Sequence, residues 1–379
     1  MITQINIKNF KSIVDSEFPL GGFNVLIGAN GSGKTNILEA ISFMSAASTD
    51  KLDNEFLGLR GIRVTEPKFM MSGFEEQPEY VFFEVYTDHN AYCFYYQIPI
   101  SYADKRWHSI GIIERDPNFQ KNVTSAEIYV PPKSNEKSQK TIDSFFTEED
   151  YAFDNISQFK RDVKSFLSYC PEESALRTFR EEIQTLPLGR KGEGLFRYLK
   201  ELGQTEKGIQ ILQEIKEKLY LLDWYDDLKI PENSFSNDST VLIRDRYLNE
   251  TLQYFDQRST NEGFLYLLFY LTLFISDETP EFFAIDNIES AFNPKMCTEL
   301  IRILTDLARK HGKQVIVTTH NPAVLDGLNL ANDDERLFVV RRNIDGHTRI
   351  NRIEHKTERT MKLSEIWLNG FIGGLPDNF

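Results

Sequence analysis

The 379-residue sequence predicts an α/β fold, and three segments carry that prediction. The apolar run FNVLI is followed by the glycine-rich segment GANGSGKT, and then by NILEAISFM, whose apolar residues recur at helical spacing. Two further apolar runs, FFAID and QVIVTTH, enclose a segment with a helical pattern. Short apolar runs that alternate with helical patterns are typical of strands buried on both faces of an α/β sheet.

Changes in composition divide the chain into three predicted parts. Residues 1–135 contain the strand ITQINIKNF, the glycine-rich segment and a β-rich lobe from Tyr80 to Tyr129, and a polar linker begins at Val130. Residues 136–235 have mainly helical patterns and end in a polar loop that begins at Pro231. Residues 236–379 return to α/β patterns. We therefore predict a β-rich lobe and a helical insert between two α/β parts.

The C-terminal part contains the clearest helix boundaries in the sequence. In NPKMCTELIRILTDLARKHG, Asn293 is a good N-cap, Pro294 suits the first helical position and Gly312 suits the stop. The segments RLFVVRR and TRINRIE then predict a hairpin.

Composition favours a soluble cytoplasmic protein. The longest apolar run, FLYLLFYLTLFI, is shorter than the roughly 20 residues that cross a bilayer, and it predicts a buried helix. The three cysteines form neither a metal-ligand spacing nor an even disulfide set. The net charge of −14 argues against non-specific nucleic-acid binding, although a local basic patch stays compatible with it.

The segment GANGSGKT matches the P-loop pattern G-x-x-x-x-G-K-[ST]. Its glycines let backbone N–H groups approach phosphate oxygens, the lysine adds a positive charge, and the threonine hydroxyl can reach a metal ion. A strand before the loop and a helix after it provide the expected context, with a helix N-terminus facing the anion. The candidate ATP-binding residues are Asn30, Gly31, Ser32, Gly33, Lys34, Thr35 and Asn36.

Two strand ends complete the predicted site. Asp286 ends the FFAID run and, together with Thr35, is the candidate Mg²⁺ ligand. His320 ends the QVIVTTH run and is predicted to contact the γ-phosphate, although a histidine at a strand end can also be purely structural.

A fourth, weaker motif lies in RSTNEGFLYLLF. A polar turn followed by Asn261, Glu262, Gly263 and a helix makes another helix N-terminus suited to an anion. The alternative is an ordinary capped helix start.

Together these segments resemble the ABC-type ATPases of the SMC/RecF group. The N-terminal strand ITQINIKNFKSI, the P-loop, IDNIESAFNP and TTH carry the resemblance over nearly the whole chain. Within that group, the chain is most similar to the small AAA-family (RecF-like) ATPases of bacterial anti-phage defence and toxin–antitoxin operons. The resemblance implies an ABC-type ATPase head whose β-rich lobe and helical insert lie between its two halves.

The same resemblance implies that two heads enclose two ATP molecules. The signature turn of one head, here Asn261 to Gly263, contacts the γ-phosphate held by the other. Asn261 stands where the family has serine, with Ser259 and Thr260 as alternatives for that role. A glutamine that usually contacts the nucleotide has only Gln77 as a candidate, by elimination.

The segment IDNIESAFNP departs from the family pattern Asp-Glu-x-Glu. Asn287 replaces the first glutamate, and Glu289 keeps the second. An amide orients water but does not accept its proton, and loss of a general base costs on the order of 10²- to 10⁴-fold in rate. We therefore predict tight ATP binding and slow hydrolysis. Either Glu289 replaces the base, or it is a surface acid and the ATP-bound dimer is a long-lived switch.

The leading hypothesis is an ATP-binding regulator or scaffold of a separate nuclease or toxin, acting as a dimer or larger homo-oligomer. The alternative is a RecF-like repair ATPase that binds DNA. We expect no nuclease domain of the type that some relatives carry after the ATPase, because the 59 residues after His320 contain no clustered acidic triad. No motif indicates a small-molecule kinase. The insert is too short for the long arms of chromosome-tethering proteins.

The last segment of the chain combines basic and aromatic residues. Arginines and lysines in RRNIDGHTRINRIEHKTER form either a nucleic-acid contact or, as we favour, a solvated strand edge: Arg341, Arg342, Arg349, Arg352, Lys356 and Arg359. Trp367 in the tail is predicted to dock onto the core of its own chain rather than onto a partner.

Overall fold

The computed structural model describes residues 1–49, 51–74, 78–89, 92–103, 106–109, 113–115, 163–178, 187–230, 241–249, 251–358 and 360–375. Gln77, Arg359, the linker that begins at Val130 and the loop that begins at Pro231 lie outside these residues.

The described residues contain 15 strands in three sheets. In chain order the strands are β1 Ile2–Phe10, β2 Ile13–Pro19, β3 Phe23–Ile27, β4 Tyr80–His89, β5 Tyr92–Ala103, β6 Arg106–Ser109, β7 Ile113–Arg115, β8 Ser168–Tyr169, β9 Tyr225–Lys229, β10 Leu242–Asp245, β11 Phe255–Asp256, β12 Phe282–Ile285, β13 Gln314–Thr318, β14 Glu335–Arg342 and β15 Thr348–Ile353.

The helices follow the same chain order. They are α1 Lys34–Ala47, α2 Asn54–Leu59, α3 Pro67–Met70, α4 Glu173–Leu176, α5 Leu195–Leu202, α6 Glu206–Leu219, α7 Glu262–Ile275, α8 Pro294–Lys310 and α9 Leu363–Leu368, with a 3₁₀ helix at Pro322–Gly327. None of the helices in this described part of the chain is long and apolar enough to cross a membrane.

A six-stranded sheet in the order β15-β14-β3-β13-β12-β8 forms the centre of the molecule. All neighbouring strands are parallel except β14 and β15, which form the predicted antiparallel hairpin. Every residue of β3, β12 and β13 is buried, because helices and a second sheet cover the two faces of the central sheet. The continuous apolar runs in the sequence are therefore the middle of this sheet.

Two hydrophobic clusters cover opposite faces of the central sheet. One contains α1 and the antiparallel sheet β2-β1-β4-β5-β6, and it contacts side chains such as Leu26 and Ala284. The other contains α7 and α8 and contacts the alternate side chains, such as Val25 and Ile285. Residues 264–275 of α7 are all buried, so the longest apolar run is a core helix, as predicted.

The span predicted as the helical insert contributes more than helices. It includes α4, α5 and α6, but β8 from this span also pairs with β12 at the edge of the central sheet. At the C-terminal end of the span, β9 joins a third sheet in the order β11-β10-β9, whose other two strands follow the span. The boundaries at residues 135 and 235 stay predictions.

The predicted boundaries of α8 are confirmed. The Asn293 side chain accepts a hydrogen bond from the backbone of Met296, Pro294 is the first helical residue, and Gly312 follows with φ 63°. Trp367 is 4% exposed and packs in the same cluster as α7 and α8, which confirms that the tail docks onto its own core.

Lys313 fixes the end of α7 to the start of β13. Its side chain is buried, and its Nζ donates to the backbone oxygens of Ser276, Thr279 and Pro280 at 2.8, 3.0 and 3.3 Å. The ammonium group therefore supplies a donor to the C-cap carbonyl of α7 and to two carbonyls of the loop that follows the helix.

Replacement of Lys313 by methionine should lower the free energy of unfolding by about 2 kcal/mol or more, because buried carbonyls lose their donor. Urea unfolding measures this change. Lys310→Met is the control, since the Lys310 side chain is 61% exposed and its salt bridge to Glu214 is worth less than about 1 kcal/mol. Equal effects of the two substitutions would contradict the proposed role of Lys313.

Candidate functional site

The P-loop connects β3 to α1 and packs closely against the C-terminal hairpin. A Cβ atom on Gly28 would lie 2.1 Å from the carbonyl oxygen of Val340, and one on Gly33 would lie 2.2 Å from Oγ1 of Thr348. Both glycines also have positive φ angles, 154° and 113°. Only glycine satisfies both conditions, so the loop requires these residues for its own shape as well as for a ligand.

Lys34 is held inside the P-loop. Its side chain is buried, and its Nζ donates to the backbone oxygens of Gly28 at 2.7 Å and Ala29 at 3.2 Å. Burial lowers the pKa of Lys34 to about 8, and the negative charges of Asp286 and Glu289 oppose this shift. An anionic ligand that replaced the two carbonyls would stabilise the charged form of the amine.

The end of β12 brings Asp286 to the start of α1. The Thr35 hydroxyl donates to Oδ2 of Asp286 at 3.4 Å, and the Thr318 hydroxyl donates to Oδ1 at 2.5 Å. Thr318 also accepts the backbone N–H of Asn287 at 2.9 Å. Thr318, which the sequence reasoning overlooked within QVIVTTH, therefore orients the candidate metal carboxylate and the residue after it.

Glu289 and His320 meet on the same side of the sheet. The backbone N–H of His320 donates to Oε1 of Glu289 at 2.8 Å. Oε2 of Glu289 is buried and has no hydrogen-bond partner among the described residues. Burial, followed by the charge of Lys34, lowers the pKa of His320, which therefore favours the neutral imidazole.

Asn287 has a backbone conformation that the sequence did not reveal. Its φ angle is 56°, in the left-handed region, where asparagine is tolerated better than most residues. A glutamate at this position would add a backbone cost of roughly 1 kcal/mol. The asparagine therefore suits the turn after β12 in addition to removing a carboxylate.

The predicted signature turn starts α7 at a separate place. The Asn261 side chain caps the helix by accepting the backbone N–H of Phe264 at 2.9 Å, while Asn261 and Glu262 are exposed. A Cβ on Gly263 would lie 3.4 Å from the carbonyl oxygen of Ala291. Within the described ranges, no hydrogen bond or ion pair connects this turn to the P-loop.

The structure therefore brings one group of predicted residues together and keeps another apart. Lys34, Thr35, Asp286, Glu289 and His320 converge at the carboxyl ends of three parallel strands. Asn30 and Gly31 form the exposed tip of the loop, whereas Ser32 is buried and its hydroxyl has no partner in the described part of the chain. Asn261 to Gly263 lie outside this group.

An ion cluster around the buried carboxylate of Glu39 supports α1. The carboxylate of Glu39, 3% exposed, pairs with Lys11 and with Nε of Arg63 at 2.6 Å. Arg63 also donates to Oδ1 of Asn36 at 3.0 Å, and Asn36 donates to the Ser12 hydroxyl at 2.7 Å. The sequence held a signal for this cluster, because Glu39 interrupts the apolar side of NILEAISFM.

Arg177 stabilises the turn before α7. Its Nη1 donates to the backbone oxygens of Arg258 at 2.9 Å and Thr260 at 2.8 Å, and its guanidinium pairs with Glu173. No feature of the sequence pointed to this arginine, because 80 or so residues separate it from the turn.

The oxygen atoms at this site suit Mg²⁺ bound together with a nucleotide. Mg²⁺ prefers oxygen ligands and is usually bound by one or two carboxylates together with phosphates and water. The Thr35 hydroxyl and the Asp286 carboxylate are such oxygens, and they already lie in contact. Ser32 Oγ and Glu289 Oε2 are buried polar atoms that lack partners in the described residues, as expected where a polar ligand binds.

A family model described as "AAA domain, putative AbiEii toxin, Type IV TA system" matches residues 23–326, well over half of the chain. The DNA replication and repair protein RecF of Photorhabdus laumondii is 51% identical over 41 residues, and that of Enterobacter sp. is 54% identical over 41 residues. Each match covers 11% of this chain. The first covers 11% of the Photorhabdus protein and the second covers 12% of the Enterobacter protein. The chain thus aligns with only a small part of these relatives.

Two solved structures share the fold. An SmcHead bound to the C-winged helix domain of ScpA has a TM-score of 0.58 at 14% identity, covering 94% of this chain and 98% of that chain. An Smc head domain with a coiled coil and joint, derived from Pyrococcus yayanosii, has a TM-score of 0.52 at 14% identity, covering 98% and 99%. The predicted fold class is confirmed.

The lowered pKa of Lys34 predicts that Mg²⁺–ATP binds more weakly as the pH rises. Without a nucleotide, burial lowers the pKa of Lys34 to about 8. In the complex, adjacent phosphates would raise this pKa. Binding above pH 8 therefore takes up a proton, and affinity should fall by roughly twentyfold between pH 7.5 and 9.5.

Calorimetry in two buffers of different ionisation enthalpy measures that proton uptake directly at pH 9. Lys34→Arg, whose guanidinium stays charged, is the control and should show no uptake from this position. Constant affinity of the wild type up to pH 9.5 would mean that the Lys34 amine does not gain a proton when Mg²⁺–ATP binds.

Proposed function

Since the chain belongs to the family described as "AAA domain, putative AbiEii toxin, Type IV TA system" and is a P-loop ATPase of the ABC, SMC and RecF type, we propose that it regulates or scaffolds a separate effector protein in bacterial anti-phage defence. In this proposal the chain binds Mg²⁺–ATP and pairs with a second copy around the nucleotide. The effector is a nuclease or a toxin. The family description supports the defence setting.

The convergence of Lys34, Thr35 and Asp286 at one edge of the sheet carries the nucleotide part of the proposal. The Lys34 ammonium is available for the β- and γ-phosphates, because its present partners are loop carbonyls that a phosphate can replace. Thr35 and Asp286 supply the oxygens for Mg²⁺, and Thr318 holds Asp286 in orientation. The ion would neutralise charge on the phosphates during transfer.

Slow hydrolysis follows from the residues near Asp286. The Asn287 amide does not accept a proton, so it serves at most to orient water. Glu289 is the remaining carboxylate, and its buried Oε2 lacks a partner in the described residues while Oε1 bonds to the backbone of His320. We assign Glu289 as the residual base and neutral His320 as a γ-phosphate contact, with electrostatic positioning supplying the remaining rate enhancement.

Pairing of two copies gives the signature turn its role. Asn261 and Glu262 are exposed at the N-terminus of a 14-residue helix, and they lie apart from the P-loop of their own chain. A helix N-terminus attracts phosphate, so a second copy is the natural source of the nucleotide. The structurally similar SmcHead is bound to a domain of ScpA, and this supports the proposal that a separate protein binds this chain.

A RecF-like role in DNA repair is the second candidate, and the short RecF matches favour it. The net charge of −14 disfavours DNA binding by the chain alone. Within the hairpin, Arg349 donates to the backbone of Asp15 and Arg352 pairs with Asp333, so part of the basic strip is used inside the chain. Titration with duplex DNA at several salt concentrations separates the two: salt-dependent ATP-stimulated binding would favour repair.

Gly263→Arg should preserve ATP binding by the monomer but reduce nucleotide-dependent assembly at least tenfold, because a long side chain blocks close approach of a second head. Equilibrium sedimentation with and without Mg²⁺–ATP measures assembly. Gly263→Ala is the matched control, since a Cβ makes only near-ordinary contacts in the monomer. If Gly263→Arg assembles as well as the wild type, the turn is only a helix cap.

Asn287→Glu should raise steady-state ATP hydrolysis by roughly tenfold or more, because it restores a positioned base. Because position 287 has a φ angle of 56°, the same substitution should lower the free energy of unfolding by about 1 kcal/mol. Phosphate release measures turnover, and urea unfolding measures the cost.

Asn287→Gln has the same backbone cost without a carboxylate and is therefore the control. Glu289→Gln should remove the residual turnover of the wild type. Unchanged turnover in both Asn287→Glu and Glu289→Gln would show that neither position supplies the base.

A further inference from the structure

A buried tyrosine hydroxyl in α7 has no hydrogen-bond partner among the described residues. It belongs to Tyr270, which lies in the middle of this helix and is 0% exposed. Burial of a hydroxyl without a hydrogen bond is unfavourable, and such groups are therefore uncommon in folded proteins. A polar group close to Tyr270 is therefore the natural partner of this hydroxyl.

Ring packing fixes Tyr270 beside the turn after β12, which carries Glu289. The centroids of the Tyr270 and Phe292 rings lie 6.2 Å apart. The backbone N–H of Phe292 donates to the carbonyl oxygen of Glu289 at 3.1 Å, so this ring belongs to the same turn as the carboxylate. Tyr266 contacts the Tyr270 ring edge-on with centroids 6.2 Å apart, and its own hydroxyl donates to the carbonyl oxygen of Pro171 at 3.0 Å. Tyr270 therefore has a defined position next to the candidate base.

Glu289 offers an unpaired acceptor within electrostatic reach of this hydroxyl. Its Oε1 accepts the backbone N–H of His320, whereas its Oε2 is buried and has no partner among the described residues. Burial raises the pKa of Tyr270 well above its usual value, and Tyr266 and the negative charge of Glu289 raise it further. The phenol therefore stays protonated and can donate a hydrogen bond. One buried donor and one buried acceptor thus lie near each other, and each lacks a partner in the described structure.

A buried water molecule can join the Tyr270 hydroxyl to the Glu289 carboxylate. Neither atom has a partner among the described residues, so no direct hydrogen bond joins the two. Buried waters bind about two to four polar groups that otherwise lack partners. Building on the proposed function, in which Glu289 is the residual base, we propose that one buried water accepts a hydrogen bond from the Tyr270 hydroxyl and donates one to Oε2 of Glu289. Tyr270 is then a positioning residue for the base.

Bonds to both oxygens fix the orientation of the Glu289 carboxylate. The backbone N–H of His320 holds Oε1 at 2.8 Å, and the water holds Oε2. A carboxylate has about four acceptor sites, so Glu289 still has room for the proton of the attacking water. Orientation matters because a misplacement of about 1 Å can cost roughly 10²-fold in rate. Tyr270 therefore contributes to turnover without contacting the nucleotide.

Tyr270→Phe in the full chain removes the hydroxyl and keeps the ring. The kcat for ATP hydrolysis should fall by about tenfold, because a base that contributes on the order of 10²- to 10⁴-fold loses part of its positioning. The KM for ATP and the affinity for Mg²⁺–ATP should stay unchanged, because the hydroxyl acts only on the chemical step. Phosphate release at a series of ATP concentrations measures kcat and KM, and calorimetry measures binding.

Tyr169→Phe is the matched control. Tyr169 is also 0% exposed, and its hydroxyl likewise lacks a partner in the described part of the chain. Its ring contacts Phe269 and Phe283, with centroids 5.7 and 6.0 Å away, and burial alone raises its pKa. Tyr169→Phe should therefore hydrolyse ATP like the wild type. An equal loss of kcat in Tyr169→Phe and Tyr270→Phe would show a general effect on the core and would contradict the proposal.

A second background tests whether Tyr270 acts through Glu289. In Asn287→Glu the new carboxylate is the base, so the addition of Tyr270→Phe should change kcat by less than about twofold. A loss as large as in the wild-type background would show that Tyr270 acts on a group other than Glu289, and the positioning role would be overturned.

The outcomes distinguish this proposal from the proposed function. If the wild type hydrolyses ATP and Tyr270→Phe has the same kcat, the proposed function stands and the positioning role is overturned. If Tyr270→Phe weakens Mg²⁺–ATP binding as much as it lowers kcat, the hydroxyl supports the shape of the site rather than the base, and the positioning role is again overturned. If the wild type does not hydrolyse ATP, the assignment of Glu289 as the residual base fails, and the proposed function itself is contradicted.

Discussion

The close packing of the P-loop against the C-terminal hairpin is the constraint on which the rest of the site depends. Gly28 has no room for a Cβ beside Val340, and Gly33 has none beside Thr348. The Thr348 hydroxyl donates to the carbonyl oxygen of Ser32 at 3.0 Å and accepts from the Ser12 hydroxyl at 2.8 Å. Residues more than 300 positions apart therefore set the shape of the loop. The shape of the candidate nucleotide site therefore depends on contacts between the N-terminal and C-terminal parts of the chain.

The parallel order of the central sheet brings the candidate site residues together. Strands β3, β12 and β13 are neighbours and run in the same direction, so their carboxyl ends lie at one edge. Lys34, Asp286 and His320 follow these three strands and consequently meet at this edge. Ligands of open α/β sheets generally bind at the same edge. Burial disfavours the charged forms of Lys34 and His320 and lowers both pKa values, and the charge of Lys34 lowers the pKa of His320 further.

Asn287 shows how one residue can satisfy two different demands. In the function that we propose, the amide of Asn287 stands where a carboxylate would act as general base, next to Asp286, the proposed metal ligand. As backbone geometry, asparagine suits the left-handed conformation with φ 56° that turns the chain after β12. Thr318 supports both, since its hydroxyl bonds to the Asp286 carboxylate and to the Asn287 backbone. Chemistry at this position is therefore coupled to the stability of a turn.

The sequence by itself determined the fold class, the central strands, the ends of α8 and the residues that converge at the P-loop, because local patterns specify buried strands, helix caps and glycine-rich loops. Only the tertiary structure decided that Thr318 orients Asp286 and that Glu39 joins Lys11 to Arg63. It also placed β8, a strand of two residues, at the edge of the central sheet. These contacts join residues far apart in the chain, and no local pattern records which distant side chain will fill a given position.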